Sequence, residues 1–137
     1  MLPPEFKMHS AAEFRRTTRY GVRAGSSTVV VHLYSETPQA REQVPNQGIP
    51  LVSFGGPHCG LVVSKKVGNA VTRHRLSRVL RHAILPHLQQ LDPSYRIVIR
   101  ALPGIRTATH TEIAADIHQG IEKCQRKLAR RQAQHEA

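Results

Sequence analysis

The chain has few of the residues that cross-link, stack or neutralise. Its 137 residues include two cysteines, no tryptophan and six other aromatics, three Tyr and three Phe. Two cysteines, Cys59 and Cys124, exclude a disulfide scaffold, and their lone spacing fits no zinc ligand pattern. No apolar run approaches the ~20 residues a membrane span needs. The first residues, Met1-Leu-Pro-Pro-Glu-Phe-Lys, lack the apolar stretch of a secretory signal, so a cytoplasmic, reducing location is expected. Acids are scarce as well. Nine Asp and Glu face twenty Lys and Arg, a net charge of +11 with His neutral. A small domain this basic calls for a polyanionic partner. Length predicts one domain, 1–137, large enough to bury a core without staples.

The acids are also unevenly placed. None occurs from Val44 to Leu91, and the Lys and Arg of that span all fall between Lys65 and Arg81. A second basic cluster, Lys123, Arg126, Lys127, Arg130 and Arg131, lies at 123–131, and a milder one comprises Arg15, Arg16, Arg19 and Arg23. A solvated face accounts for the C-terminal cluster as readily as a binding role does. It accounts less well for 65–81, because a solvated helix mixes signs.

Ser10-Ala-Ala-Glu13 has capping-box spacing and Gly21 can end a helix, which predicts a helix over 11–20. Thr28–Tyr34, Cys59–Ser64 and Tyr95–Ala101 read as strands. Residues 35–57, with four prolines and three glycines, read as a long loop with room for an extended piece at 51–54. Asn69 can cap a helix from Ala70 to about Leu85, where Pro86 ends or kinks it. Thr109-His-Thr-Glu112 opens a final helix to about Arg131, whose Ile113, Ile117, Ile121, Cys124 and Leu128 form one apolar face. The order predicts a helix–sheet sandwich with a single sheet.

On a helical wheel Arg73, His74, Ser77, Arg78 and Arg81 share one arc, with Arg75 on the flank. Leu76, Val79, Leu80 and Ala83 share the opposite arc. Lys65 and Lys66 stand at the helix entrance, where free backbone N–H groups already favour anions. Planar guanidinium forks suit bidentate phosphate contacts, so the helix predicts a nucleic-acid backbone as ligand; charge alone does not say RNA or DNA. The alternative is a surface helix whose arginines lie along apolar neighbours.

The segment Gly60-Leu-Val-Val-Ser-Lys-Lys-Val-Gly-Asn-Ala-Val-Thr-Arg-His-Arg-Leu-Ser-Arg-Val-Leu-Arg81 resembles the signature of the protein subunit of bacterial ribonuclease P. Ala12-Glu-Phe-Arg-Arg resembles that family's first helix and Tyr95–Ala101 its last strand; the loop at 35–57 looks like an insertion. Two positions depart from the pattern: His74 stands for Asn and Ser77 for Lys. The resemblance implies an α+β fold, an αβββαβα two-layer sandwich with a left-handed βαβ crossover, of the ribosomal protein S5 domain 2-like type. It implies a non-catalytic subunit of the endoribonuclease that removes the 5′ leader from precursor tRNA by phosphodiester hydrolysis. The RNA subunit carries the catalysis, with Mg2+ bound mainly through that RNA. The protein binds the RNA and the leader and broadens the substrate range, with one protein per RNA.

Carried over residue by residue, the implied RNA-binding set is Lys65, Lys66, Asn69, Arg73, His74, Arg75, Arg78 and Arg81. The implied leader cleft holds Phe14, Thr18 and His32, where Thr18 and His32 replace aromatics of the family. With so few stacking rings, leader binding is expected to rest more on Arg and Lys than on stacking. No catalytic or metal-ligating group is expected in the protein, since the acids are scattered and His74 and His82 lie two helical turns apart. Cys124 is expected in the core, while Cys59 could be buried or exposed. His9, His58, His87, His110, His118 and His135 are expected at the surface. The competing readings are a ribosomal or general basic RNA-binding protein, a DNA-binding regulator and a self-sufficient nuclease. A strand before the basic helix counts against the second, and the scattered acids against the third.

Overall fold

The computed structural model describes residues 2–8, 10–36 and 57–136. In chain order the elements are α1 (Ala11–Tyr20), β1 (Val22–Gly25), β2 (Val29–Ser35), β3 (His58–Val62), α2 (Ala70–Leu88), β4 (Tyr95–Ala101) and α3 (His110–Glu136). The order is αβββαβα, as expected. The strands form one mixed sheet in the order β1-β2-β4-β3, with β3 and β4 parallel and the other pairs antiparallel. Helix α2 joins the parallel pair.

The resemblance implies a third strand before α2, but the residue pattern does not locate it at β1. Four residues with Gly25 at the end carry too short a pattern to stand out, and it exists because Val22 and Ala24 alternate inward opposite Leu33 and Val31. The extended piece at 51–54, and most of the loop at 35–57, lie outside the described residues. Pro86 does not stop α2. The helix runs on to Leu88, because Ile84 and Leu88, 0% and 1% exposed, hold its last turn in the core. The proline sits where only one intrahelical bond is lost. Helix α3 likewise passes Arg131 and reaches Glu136.

Alternation along the strands sorts side chains onto two faces. Val29, Val31, Leu33, Ile97, Ile99 and Ala101 join Leu76, Leu80, Ile84, Ile113, Ile117 and Cys124 in the main core between the sheet and α2 with α3. Gly120 lets α3 approach this face, since a Cβ there would stand 2.6 Å from Val31 Cγ2. The opposite face carries Val30, His32, Tyr34, Arg96, Val98 and Arg100, and α1 lies across it against β2 and β4. Gly21 makes the turn from α1 into β1 possible. A Cβ there would come within 2.5 Å of both the Leu33 and Thr17 carbonyl oxygens.

Candidate nucleic-acid interface

Helix α2 starts as its sequence predicts. Asn69 Oδ1 accepts from the Thr72 N–H at 2.9 Å, and Val67, fully buried, anchors the preceding turn. Leu76, Leu80, Ile84 and Leu88 form the buried stripe. Lys65, Lys66, Asn69, His74, Arg75 and Arg78 are exposed, while Arg73, Ser77 and Arg81 are half-buried. The face is therefore basic along its length, and among the described residues none of its cations has an acid within ion-pair range. The Nε atoms of Arg73 and Arg81 are buried with no hydrogen-bond partner.

Helix α1 is held to the other face by a buried ionic cluster that the sequence reading did not find. Ser10 Oγ accepts from the Glu13 N–H at 3.0 Å, which is half of the expected capping box. The Glu13 carboxylate does not return to Ser10. Its Oε1 lies 2.5 Å from His58 Nδ1 and 3.1 Å from Arg96 Nε. Arg16 Nε donates to Glu36 Oε1 at 2.6 Å, and Glu36 Oε2 lies 3.6 Å from Arg96 Nε. Burial pushes the Glu13 carboxyl upward, but the His58 hydrogen bond and the charges of His58, Arg96 and Arg16 outweigh it and hold the pKa below its ordinary value. His58 is thus not a surface residue: β3 turns it into the sheet face under α1, where Glu13 receives it. Arg16 leaves the α1 basic cluster for the same reason and is 3% exposed. Arg96 could have been suspected, because an arginine alternating with Val98 in an apolar strand must share its face.

The three cleft residues all belong to this face. Phe14 is half-buried over Gly60, 3.6 Å from where a Cβ would stand. Thr18 turns its hydroxyl back to the carbonyls of Phe14 and Arg15. His32 is 7% exposed and pairs in register with Arg23 and Val98, which leaves little ring for stacking. Burial, then the Arg100 and Arg23 charges, lower its pKa and favour the neutral ring. Arg23 and Arg100 themselves are exposed on this face. The N-terminal segment closes the β3 end of the cleft, with the Met8 N–H donating to the Cys59 carbonyl at 3.2 Å. A cavity of about 490 Å³ opens there, lined by Lys7, Met8, Phe14, Gly60, Leu61 and Arg81 among others. The structure thereby brings Arg81 of the basic helix and Phe14 of the cleft, assigned separately from sequence, to one cavity.

Cys59 and Cys124 are both buried, and burial pushes their thiols up to about 12 and about 11. Among the described residues no three His, Cys, Asp or Glu side chains converge as a metal site would require. No helix among them is long and apolar enough to cross a membrane.

The profile of the family described as Ribonuclease P matches residues 2–125. The chain belongs to the ribonuclease P protein family. The ribonuclease P protein component of Corynebacterium diphtheriae is 46% identical over 127 residues, covering 93% of this chain and 99% of that protein. That of Corynebacterium glutamicum is 47% identical over 130 residues, 92% and 96% of the two chains. The solved ribonuclease P protein of Staphylococcus aureus superposes with a TM-score of 0.66 at 20% identity, covering 85% of this chain and 93% of that one. The Thermotoga maritima ribonuclease P protein gives 0.60 at 14% identity, with 82% and 92% covered. These two share the fold. As a ribonuclease P protein component, the chain acts in tRNA 5′ processing, and the fold reading from its signature segment stands.

Proposed function

We propose that α2 docks this ribonuclease P protein on the catalytic RNA subunit, while the cleft between α1 and the sheet holds the 5′ leader of precursor tRNA. The observation that carries this reading is the single-sign face of α2, where Arg73, Arg75, Arg78 and Arg81 meet no acid among the described residues. Lys65 and Lys66 add charge at the helix entrance, where Asn69 fixes the first turn. His74 and Arg75 add exposed donors along the face, and Arg78 a further fork. Phe14 forms the wall that meets the leader bases, with Thr18 on the same helix and His32 in the sheet floor below, and Arg23 and Arg100 supply charge to its phosphates. Hydrolysis and Mg2+ binding belong to the RNA, with one protein per RNA in the cytoplasm. The protein positions the substrate and broadens its range.

The test is cleavage of precursor tRNA by the RNA subunit at low magnesium, with wild-type protein and with Arg73→Ala/Arg78→Ala. Wild type should restore cleavage and the double variant should not. Binding of the RNA subunit should lose about 1.4 to 1.8 units of log–log salt slope with two phosphate contacts gone. Tight RNA binding by wild type without restored cleavage would point instead to a general RNA-binding protein.

A further inference from the structure

The cations of α3 favour one side of the helix. At about 100° per residue, Ile113, Ile117, Cys124 and Leu128 mark its buried stripe. His118 lies on one flank, its ring centroid 5.4 Å from that of His87, so that flank faces α2. The other flank holds Lys123, Lys127, Arg130 and Arg131. Lys127 Nζ donates to the Arg23 carbonyl and Arg131 Nη1 to the Tyr20 carbonyl, which turns this flank to the α1–β1 junction. From Lys123 to Gln134 there are five Lys and Arg and no acid. The acids on the same flank, Glu112 and Asp116, lie in the first two turns, where Asp116 Oδ2 is 2.6 Å from Thr28 Oγ1. Residues 126–131 also fall beyond the part of the chain matched by the family profile, which stops at 125.

Strand β1 is an edge strand, and its Arg23 shares the cleft face with His32. Lys65 and Lys66 follow β3, the opposite edge. The second basic surface is therefore continuous with the cleft floor at Arg23 and lies across the sheet from the entrance of α2. We propose that the β1 flank of α3, Lys123, Lys127, Arg130 and Arg131, extends the cleft into a track for the phosphates of leader nucleotides farther from the cleavage site. Lys127 and Arg131 fix the helix end against α1 and β1, and Lys123 and Arg130 extend freely into solvent. The track rests on the leader-binding reading above.

The experiment compares holoenzymes carrying wild-type protein or K123Q/R130Q, using precursor tRNAs with leaders of about 4 and about 12 nucleotides, within the site sizes of single-strand grooves. The variant should bind the long-leader precursor about 5- to 25-fold more weakly at 0.1 M salt and lose up to about 1.4 units of salt slope. Its affinity for the short-leader precursor should stay within about twofold, since that leader ends before the track. Equal loss on both precursors would assign the surface to another part of the RNA and overturn the track. No loss on either would make it a solvated face. Wild-type holoenzyme that cleaves neither precursor would overturn the leader-binding reading itself. The single substitutions K123Q and R130Q, each expected to give half the slope change, keep the test if the double variant melts early.

Discussion

Replacing Glu13 by alanine should be the most damaging single change to α1, although the residue touches no RNA in our reading. The cluster beneath the helix has two guanidinium groups, Arg16 and Arg96, 3% and 1% exposed, and two carboxylates, Glu13 and Glu36. Without Glu13, Arg96 retains Glu36 Oε2 at 3.6 Å and the carbonyls of Pro93 and Tyr95 at 2.9 Å, but loses its nearer acid at 3.1 Å. His58 loses its 2.5 Å partner in the same step. Removing one member of a buried ion pair costs about 3–5 kcal/mol, because the other charge stays buried. Urea unfolding at neutral pH should show that loss as a lower midpoint at nearly unchanged slope. Glu13→Gln keeps the volume and one hydrogen bond and should lose less.

The pH dependence has a definite sign. Because the folded pKa of Glu13 is held below its ordinary value of 4.5, its carboxylate stabilises the fold above that value. The stabilisation drains away as pH falls through the lower folded value. Wild type should therefore be more acid-sensitive than Glu13→Gln over that window. A loss below about 1 kcal/mol for Glu13→Ala, or equal acid sensitivity of wild type and Glu13→Gln, would refute the claim that this cluster holds α1.

Two further outcomes follow from packing. Gly120→Ala would place a methyl group 2.6 Å from Val31 Cγ2 and should destabilise by about 1–3 kcal/mol through overpacking, read as a lower melting temperature. Both thiols should resist alkylation at pH 8 in the native state and react readily in urea, since burial pushes them up to about 12 and about 11. Native labelling at the rate of a free thiol would contradict the burial of Cys59 and Cys124.

The parts of this molecule legible in its sequence are those whose signal is local. The stripe of Leu76 and Leu80 opposite Arg73 and Arg78 repeats at the helical period, and the Asn69 and Thr109 caps stand at the spacing such caps require. Tyr95–Ala101 is legible because its apolar run is long enough to outweigh two arginines. What stayed hidden depends on residues distant in the chain. Glu13 looked like a capping residue, yet its partner is His58, 45 positions away. Pro86 read as an end or a kink, and tertiary burial of Leu88 carries the helix past it despite one missing hydrogen bond. In the candidate site, the basic face of α2 was visible from spacing alone, whereas Arg81 and Phe14 meet only because β3 brings Gly60 beneath α1. The position of Lys127 over Arg23 likewise needs the sheet order before it can be seen.

The bridge between Lys7 and Cys59 has a consequence for the protein before it meets RNA. An uncovered strand edge is a template for pairing with another chain, and every open sheet has two. Here the start of the β3 edge is met at Cys59 by the chain's own N-terminal segment. The β1 edge is only four residues long, with Lys127 and Arg131 bound against its start and Arg23 exposed on it. Each edge is interrupted at its start, and the +11 charge repels a second copy besides. These contacts and the charge act against edge-to-edge pairing before a nucleic acid covers the protein.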